Sequence, residues 1–138
     1  AELPADAAVY CCGPESLLDE VGVVCRSAGV RCETEYFGAA SVTPADPDGD
    51  EAFEVELRRS QLAVTVVAGT TVLQAIRDGG VAVDSDCEEG YCGTCETAVL
   101  EGTPDHRDVV LSHTERAAGK TMMPCVSRAC TRRLVLDL

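Results

Sequence analysis

The chain has 138 residues, 46% of them hydrophobic and 25% charged, which suits one compact domain or two very small ones and excludes a disordered chain. Its longest uncharged apolar run, Leu62 to Ala68, falls far short of the roughly 20 residues a membrane helix needs, and a formal net charge of −13 argues against nucleic acid and anionic membranes as partners. Residues 1–6 lack the basic start and apolar stretch of a secretory signal, so the expectation is a soluble, cytoplasmic protein.

Ala7 to Cys12 is an apolar run of strand length. Gly13-Pro14 turns it into a helix with Pro at the first position and Glu15 in the first turn, where unpaired N–H groups tolerate the one and attract the other. Leu17, Leu18, Val21, Val24, Cys25 and Ala28 recur at helical spacing, and Gly29 stands where a C-terminal cap belongs. Val30 to Phe37 reads as a second strand. A strand, helix, strand unit this short cannot bury a core of its own, so residues 1–40 read as the end of a larger α/β domain. Residues 41–52 (Ser-Val-Thr-Pro-Ala-Asp-Pro-Asp-Gly-Asp-Glu-Ala) hold two prolines, a glycine and four acids, and with nothing to bury they read as an interdomain linker. The charge changes across it: residues 1–52 carry a net −9 and residues 53–138 a net −4.

From residue 53, Phe53 to Leu57 alternates apolar and polar and Leu62 to Ala68 is rich in valine, which predicts a hairpin around Arg59-Ser60-Gln61. Thr70 or Thr71 caps a helix carrying Val72, Leu73, Ala75 and Ile76, which stops at Gly79-Gly80. A loop dense in Asp, Glu, Gly and Cys runs from Asp84 to Cys95. It is followed by a strand at Thr97 to Leu100, a turn at Gly102 to Asp105, a short helix near Ser112 to Ala118, and strands at Met122 to Val126 and Leu134 to Leu138. This is the element order of a β-grasp sheet, so the fold class is α+β, a β-grasp domain at 53–138 after a short βαβ remnant.

Nine cysteines are an odd number and make up less than the roughly 8 to 10% usual in disulfide scaffolds, so metal ligands or ordinary thiols fit better. Cys87-Glu88-Glu89-Gly90-Tyr91-Cys92-Gly93-Thr94-Cys95 is followed after twenty-nine residues by Cys125. C-x4-C-x2-C with a distant fourth cysteine is the plant-type spacing for a 2Fe-2S cluster. Iron needs soft thiolates, and three of them from one short loop converge only if the backbone wraps tightly, which Gly90 and Gly93 permit while bringing amide donors close. Spacing alone leaves Cys130 open as the fourth ligand. Cys125, however, is approached through the apolar Met122-Met123-Pro124, whereas Cys130 lies among Arg128, Thr131, Arg132 and Arg133. A structural zinc site usually shows two close Cys pairs or Cys with His, and disulfides within the loop leave an odd thiol. His106 and His113 form no Cys-x-His pair and read as solvated. Asp84, Asp86, Glu88 and Glu89 surround the loop with negative charge, which disfavours reduction and suits a basic docking partner.

Three stretches carry a family likeness: Cys87 to Cys95 with its Cys-Gly-Thr-Cys ending, Leu100-Glu101-Gly102-Thr103-Pro104-Asp105-His106-Arg107-Asp108, and Pro124-Cys125-Val126-Ser127-Arg128-Ala129. On these, residues 53–138 resemble the C-terminal ferredoxin domain of the phthalate dioxygenase reductase and vanillate demethylase reductase family, which includes reductase modules fused to haem-thiolate monooxygenases. The resemblance implies a ferredoxin-like β-grasp with the cluster on Cys87, Cys92, Cys95 and Cys125. Tyr10-Cys11-Cys12-Gly13-Pro14-Glu15 matches the Cys-Gly-Pro strand end of the family's NAD(P)H-binding domain, which places Cys12 near the nicotinamide, and Glu35-Tyr36-Phe37 matches its last strand. Neither the family's Arg-x-Tyr-Ser flavin motif nor a nucleotide-binding glycine motif occurs, so the chain is expected to be the C-terminal piece of a longer flavoprotein. In such a parent, NAD(P)H reduces FMN, the flavin domain of the same polypeptide is the electron donor, and a terminal oxygenase or haem monooxygenase is the acceptor. The chain is then an oxidoreductase as part of its parent and a one-electron carrier alone. The competing reading is a non-redox β-grasp protein-binding module with a structural metal site. A thiol enzyme using Cys11-Cys12 is a weaker third, since vicinal cysteines are poorly placed for a relaxed disulfide.

Overall fold

The computed structural model describes residues 7–13, 15–36, 46 and 48–138; the expectations placed on residues 1–6, Pro14, Phe37 and residues 41–45 lie outside the described residues. The chain divides into two compact units, Ala1–Ala39 and Ala40–Leu138.

In the first unit, β1 (Ala8–Gly13) and β2 (Arg31–Tyr36) run parallel, in register from Ala8 opposite Arg31 to Gly13 opposite Tyr36. Parallel neighbours need a crossover, and α1 (Glu15–Ala28) supplies it. Gly29, at φ +67°, ends the helix: its N–H donates to Arg26 O at 3.2 Å, and Val30 N donates to Cys25 O at 2.9 Å. The buried arc of α1 is narrower than its spacing predicts. Cys25 is buried, but Val24, turned about 100° from it, is 65% exposed, because a two-stranded sheet covers only one side of the helix.

The second unit is built on a five-stranded sheet. β3 (Phe53–Leu57) pairs antiparallel with β4 (Leu62–Val66) and parallel with β9 (Arg133–Leu136); β9 pairs antiparallel with β5 (Thr97–Glu101), and β5 with β7 (Thr121–Met122). The order is β4-β3-β9-β5-β7. Phe53, Val55 and Leu57 face inward at every second residue, while Leu134, Val135 and Leu136 are all buried, as a central strand requires. α2 (Val72–Asp78) starts at Thr71, whose hydroxyl accepts from Gln74 N at 3.0 Å, and ends at Gly79. Val72, Ala75 and Ile76 pack on the sheet core, whereas Leu73 joins a second apolar cluster with Cys95, Leu111, Met123 and Cys125. The helix thus links the sheet to the cysteine loop. A short ladder of β6 (Pro104–Asp105) with β8 (Arg128–Ala129) and the helix α3 (His113–Ala118) complete the unit. α3 begins with a capping box between Ser112 and Glu115.

Three expectations need correction. The strand read at Met122 to Val126 stops at Met122: Val126 N and Ser127 N both donate to Met123 O, at 3.2 and 2.9 Å, so Cys125 sits in a turn. The turn read at Gly102 to Asp105 ends in a ladder strand. The stretch read as a linker with nothing to bury contains a buried anchor, because the Asp50 side chain is only 6% exposed and meets Arg107 Nη2 at 2.6 Å. Arginines that leave water need a counter-charge, and Asp50 provides it.

Candidate metal centre

The loop from Asp84 to Cys95 has no regular structure, and three residues in the left-handed region curl it: Glu88 at φ +55°, Gly90 at +78° and Gly93 at +81°. Gly90 has no alternative to glycine, since a Cβ there would lie 2.6 Å from Val126 Cγ2 and 3.3 Å from Asp108 Cα. The curl is pinned by Val109 N donating to Gly90 O at 2.9 Å, Glu96 N to Gly93 O at 3.0 Å, and Thr97 Oγ1 to Cys95 O at 3.0 Å. Leu73 N donates to Pro124 O at 2.9 Å, so the first turn of α2 holds the turn that carries Cys125.

These contacts bring together cysteines far apart in sequence. Cys95 Sγ lies 3.3 Å from Cys125 Sγ, thirty residues on, and both are buried. Cys87 and Cys92 form a second, more accessible pair, Cys92 being exposed. Two sulfur pairs fit a group held by four thiolates. The second shell fits as well: Glu89 N donates to Cys87 Sγ at 3.4 Å and Thr94 N to Cys92 Sγ at 3.5 Å, with Thr94 Oγ1 3.3 Å from the same sulfur. Burial opposes ionisation of Cys92, but hydrogen bonds from Thr94 and Cys87 outweigh it and lower the thiol pKa. Cys95 is drawn down to about 7, chiefly by its hydrogen bond with Cys125, whose own thiol is pushed up by the shared proton and by burial. Burial, with Cys87 and Glu89 nearby, pushes the Tyr91 phenol up to about 12, so it stays neutral.

Beside the buried pair lies a strap formed by the end of the Leu100 to Asp108 stretch that carries the family likeness. Asp108 is fully buried; its Oδ2 accepts from Val110 N at 3.0 Å and Leu111 N at 2.9 Å, and its Oδ1 from Ser127 Oγ at 3.3 Å. Arg116 Nη2 stands 3.9 Å from Oδ2 and also donates to Asp108 O. His106, read as solvated, has a side chain only 8% exposed, with Nδ1 3.7 Å from Asp108 Oδ1 and, among the described residues, no hydrogen bond to either ring nitrogen. The β6–β8 ladder pairs Pro104 with Ala129 and Asp105 with Arg128 immediately before this segment. His113 is exposed, as expected. An Asp whose carboxylate accepts N–H groups two and three residues on is a local signature that Asp108-Val109-Val110-Leu111 displays in the sequence itself.

The acidic rim is less uniform than its composition indicates. Asp84 and Asp86 are exposed, but Glu88 Oε1 accepts from Arg77 Nη1 and from Ser85 Oγ, both at 2.7 Å, and these bonds hold its carboxyl below the usual range. Cys12 lies in the first unit at the C-terminal end of β1, exposed and opposite Glu35, beside a cavity of about 590 Å³ also lined by Tyr10, Cys11, Glu33 and Thr34.

Comparison with known proteins places this geometry. Phenoxybenzoate dioxygenase subunit beta of Ectopseudomonas oleovorans is 50% identical over 139 residues, covering all of this chain and 42% of that protein. The crystal structure of full-length CYP116B46 from Tepidiphilus thermophilus matches with a TM-score of 0.70 at 45% identity, over 95% of this chain and 17% of that one. Phthalate dioxygenase reductase, described as a modular structure for electron transfer from pyridine nucleotides to 2Fe-2S, matches with a TM-score of 0.67 at 38% identity, over 99% of this chain and 41% of that one. The chain spans less than half the length of the curated relatives it matches. Among the described residues no helix is long and apolar enough to cross a membrane. The family model for the 2Fe-2S iron-sulfur cluster binding domain covers residues 55–130, more than half of the chain, from Val55 within β3 past the turn that carries Cys125. The chain therefore belongs to that family, and the 2Fe-2S cluster is its cofactor.

Proposed function

We propose that the second unit carries single electrons through a 2Fe-2S cluster held by Cys87, Cys92, Cys95 and Cys125, from the FMN of a parent NAD(P)H-dependent reductase to a terminal oxygenase or haem monooxygenase. The observation that carries this reading is the 3.3 Å approach of Cys95 Sγ to Cys125 Sγ, beside the Cys87 and Cys92 pair. When bound, the cluster supplies a one-electron store. The rest falls to the chain. Four thiolates bind, Glu89 N and Thr94 point donors at sulfur, and Leu73, Leu111 and Met123 keep water from the buried pair. The exposed Cys92 side leaves an acceptor a short approach.

In the same reading, residues 1–40 are the last part of the parent's NAD(P)H-binding domain, residues 41–52 connect it to the domain at 53–138, and Cys12 lies near the nicotinamide. Its place at the carboxyl end of a parallel strand supports this, since α/β sheets bind ligands at that edge. FMN and NAD(P)H belong to the parent, and a cytoplasmic location goes with this role.

The test is the visible and EPR spectrum of the purified chain after reconstitution with iron and sulfide. A reducible 2Fe-2S signal is expected, lost in Cys125→Ser and unchanged in Cys130→Ser, whose native sulfur lies 3.7 Å from Pro104 O, hydrogen-bonded to that carbonyl. Colourless protein with stoichiometric zinc, or a cluster that survives Cys125→Ser and not Cys130→Ser, overturns the reading.

A further inference from the structure

We propose that the buried carboxylate of Asp108 is a fixed negative charge that holds down the reduction potential of the cluster. The inference rests on the assignment of the four cysteines above.

Ionisable side chains are rarely buried completely, and Asp108 has no exposed side-chain surface. Three hydrogen-bond donors reach its two oxygens, and Arg116 Nη2 and His106 Nδ1 stand 3.9 and 3.7 Å away. The turn does not require that charge, because a neutral amide oxygen would accept from Val110 N and Leu111 N as well. A carboxylate where the turn itself asks for only one acceptor oxygen can serve a second, electrostatic role.

The place is suited to one. Leu111, bonded to Asp108, packs against Cys95 and Cys125. Val109 N holds Gly90 O, and Ser127, two residues past Cys125, donates to the carboxylate. Asp108, with no exposed side-chain surface, is therefore tied through Leu111 to the apolar cluster that holds the buried sulfur pair. Other acids near the loop act weakly in comparison. Asp84 and Asp86 are exposed and screened by water and salt, and Glu88 is paired with Arg77 at 2.7 Å, closer than the 3.9 Å between Arg116 and Asp108. At equal distance, a charge felt through an effective dielectric of about 20 acts roughly fourfold more strongly than one felt through water. An electron arriving on the cluster adds negative charge beside Asp108, so the oxidised form is favoured.

The experiment is spectroelectrochemical titration of the reconstituted chain, with the electrode as electron source. Asp108→Asn is expected to keep the cluster spectrum and to shift the equilibrium about tenfold toward the reduced form, about 59 mV for one electron. The shift should persist from low to high salt, whereas any shift in an Asp84→Asn, Asp86→Asn double variant should fade. A loaded Asp108→Asn chain with unchanged potential, or a shift that salt abolishes, overturns the proposal. If Asp108→Asn holds no cluster, Ser127→Ala decides, since withdrawing the hydroxyl that shares the carboxylate's charge should make the potential more negative. A potential that stays or rises in that variant overturns the proposal equally. A wild-type chain that takes up no cluster overturns the cysteine assignment itself.

Discussion

Asp50 Oδ1 lies 2.6 Å from Arg107 Nη2, joining the segment that enters β3 to the strap that carries Asp108. Arg128 shares the same carboxylate, with Nε 3.3 Å from Asp50 Oδ2, and donates to Glu51 O at 3.2 Å and Val67 O at 3.3 Å while lying 5.1 Å from the centroid of the Phe53 ring. Side-chain exposures of 6, 13 and 3% for Asp50, Arg107 and Arg128 mean that removing the acid takes a shared counter-charge from two cations shielded from water, Arg107 keeping Asp105 at 2.8 Å. Asp50→Ala is therefore expected to cost about 3 kcal/mol of stability in the second unit, read from urea unfolding. The Arg107 guanidinium also holds the Asp50 carboxyl below its usual range. Its contribution is thus fully present above the unfolded value of about 3.9 and disappears as pH falls through the lower folded value. Acid unfolding monitored by circular dichroism should be shallower below pH about 4 in Asp50→Asn than in the wild type.

Gly90→Ala should prevent the loop from closing, since the added methyl meets Val126 and the backbone at Asp108 and the residue must hold a φ of +78°. Gly80→Ala is the matched control: φ is +85° there, but nothing lies within 4 Å of the added Cβ. The control is expected to lose about 1 kcal/mol of stability and keep its cluster absorbance, whereas Gly90→Ala should lose the absorbance. Equal behaviour of the two variants would count against close packing as the reason for glycine at position 90.

Thr94→Val removes the hydroxyl 3.3 Å from Cys92 Sγ and leaves the backbone donor in place. A net hydrogen bond of about 0.7 kcal/mol lost from a thiolate that gains charge on reduction corresponds to a potential more negative by on the order of 30 mV. Square-wave voltammetry of the loaded chain measures it.

The exposed acids Asp84 and Asp86 give a kinetic prediction. If they steer a basic acceptor to the Cys92 side, raising ionic strength from about 0.01 to 0.15 M, which shortens the Debye length from roughly 30 to 8 Å, should slow electron delivery in stopped flow. A rate that stays flat across that range assigns them to solvation alone.

What the sequence revealed follows the range of the forces involved. The β3–β4 hairpin and the capped start of α2, which falls at Thr71 of the two threonines read as candidates, are settled within a few residues each, so alternation and cap chemistry sufficed. The cysteine loop was legible because its spacing reflects what iron demands of a chain. Asp50 was not, since a stretch of Asp, Pro and Gly has the same composition whether it is solvated or meets an arginine 57 residues away. The turn at Cys125 was hidden for a similar reason: Met122 to Val126 has the composition of a strand, and the bond from Leu73 N to Pro124 O that holds the turn comes from a remote helix. His106 was misjudged because its burial beside Asp108, two residues on, leaves no periodic mark in the sequence.

β9 comes last in the sequence yet lies between β3 and β5, pairing Glu54 with Arg133 nearly eighty residues later. During synthesis, all four cysteines of the proposed site leave the ribosome before the strand that closes the sheet. Closure over so long a span is a slow step, and until it happens the thiols stand open to oxidants and to iron donors alike. A message truncated just after Cys130 would yield every sulfur the metal needs and no folded body to keep it.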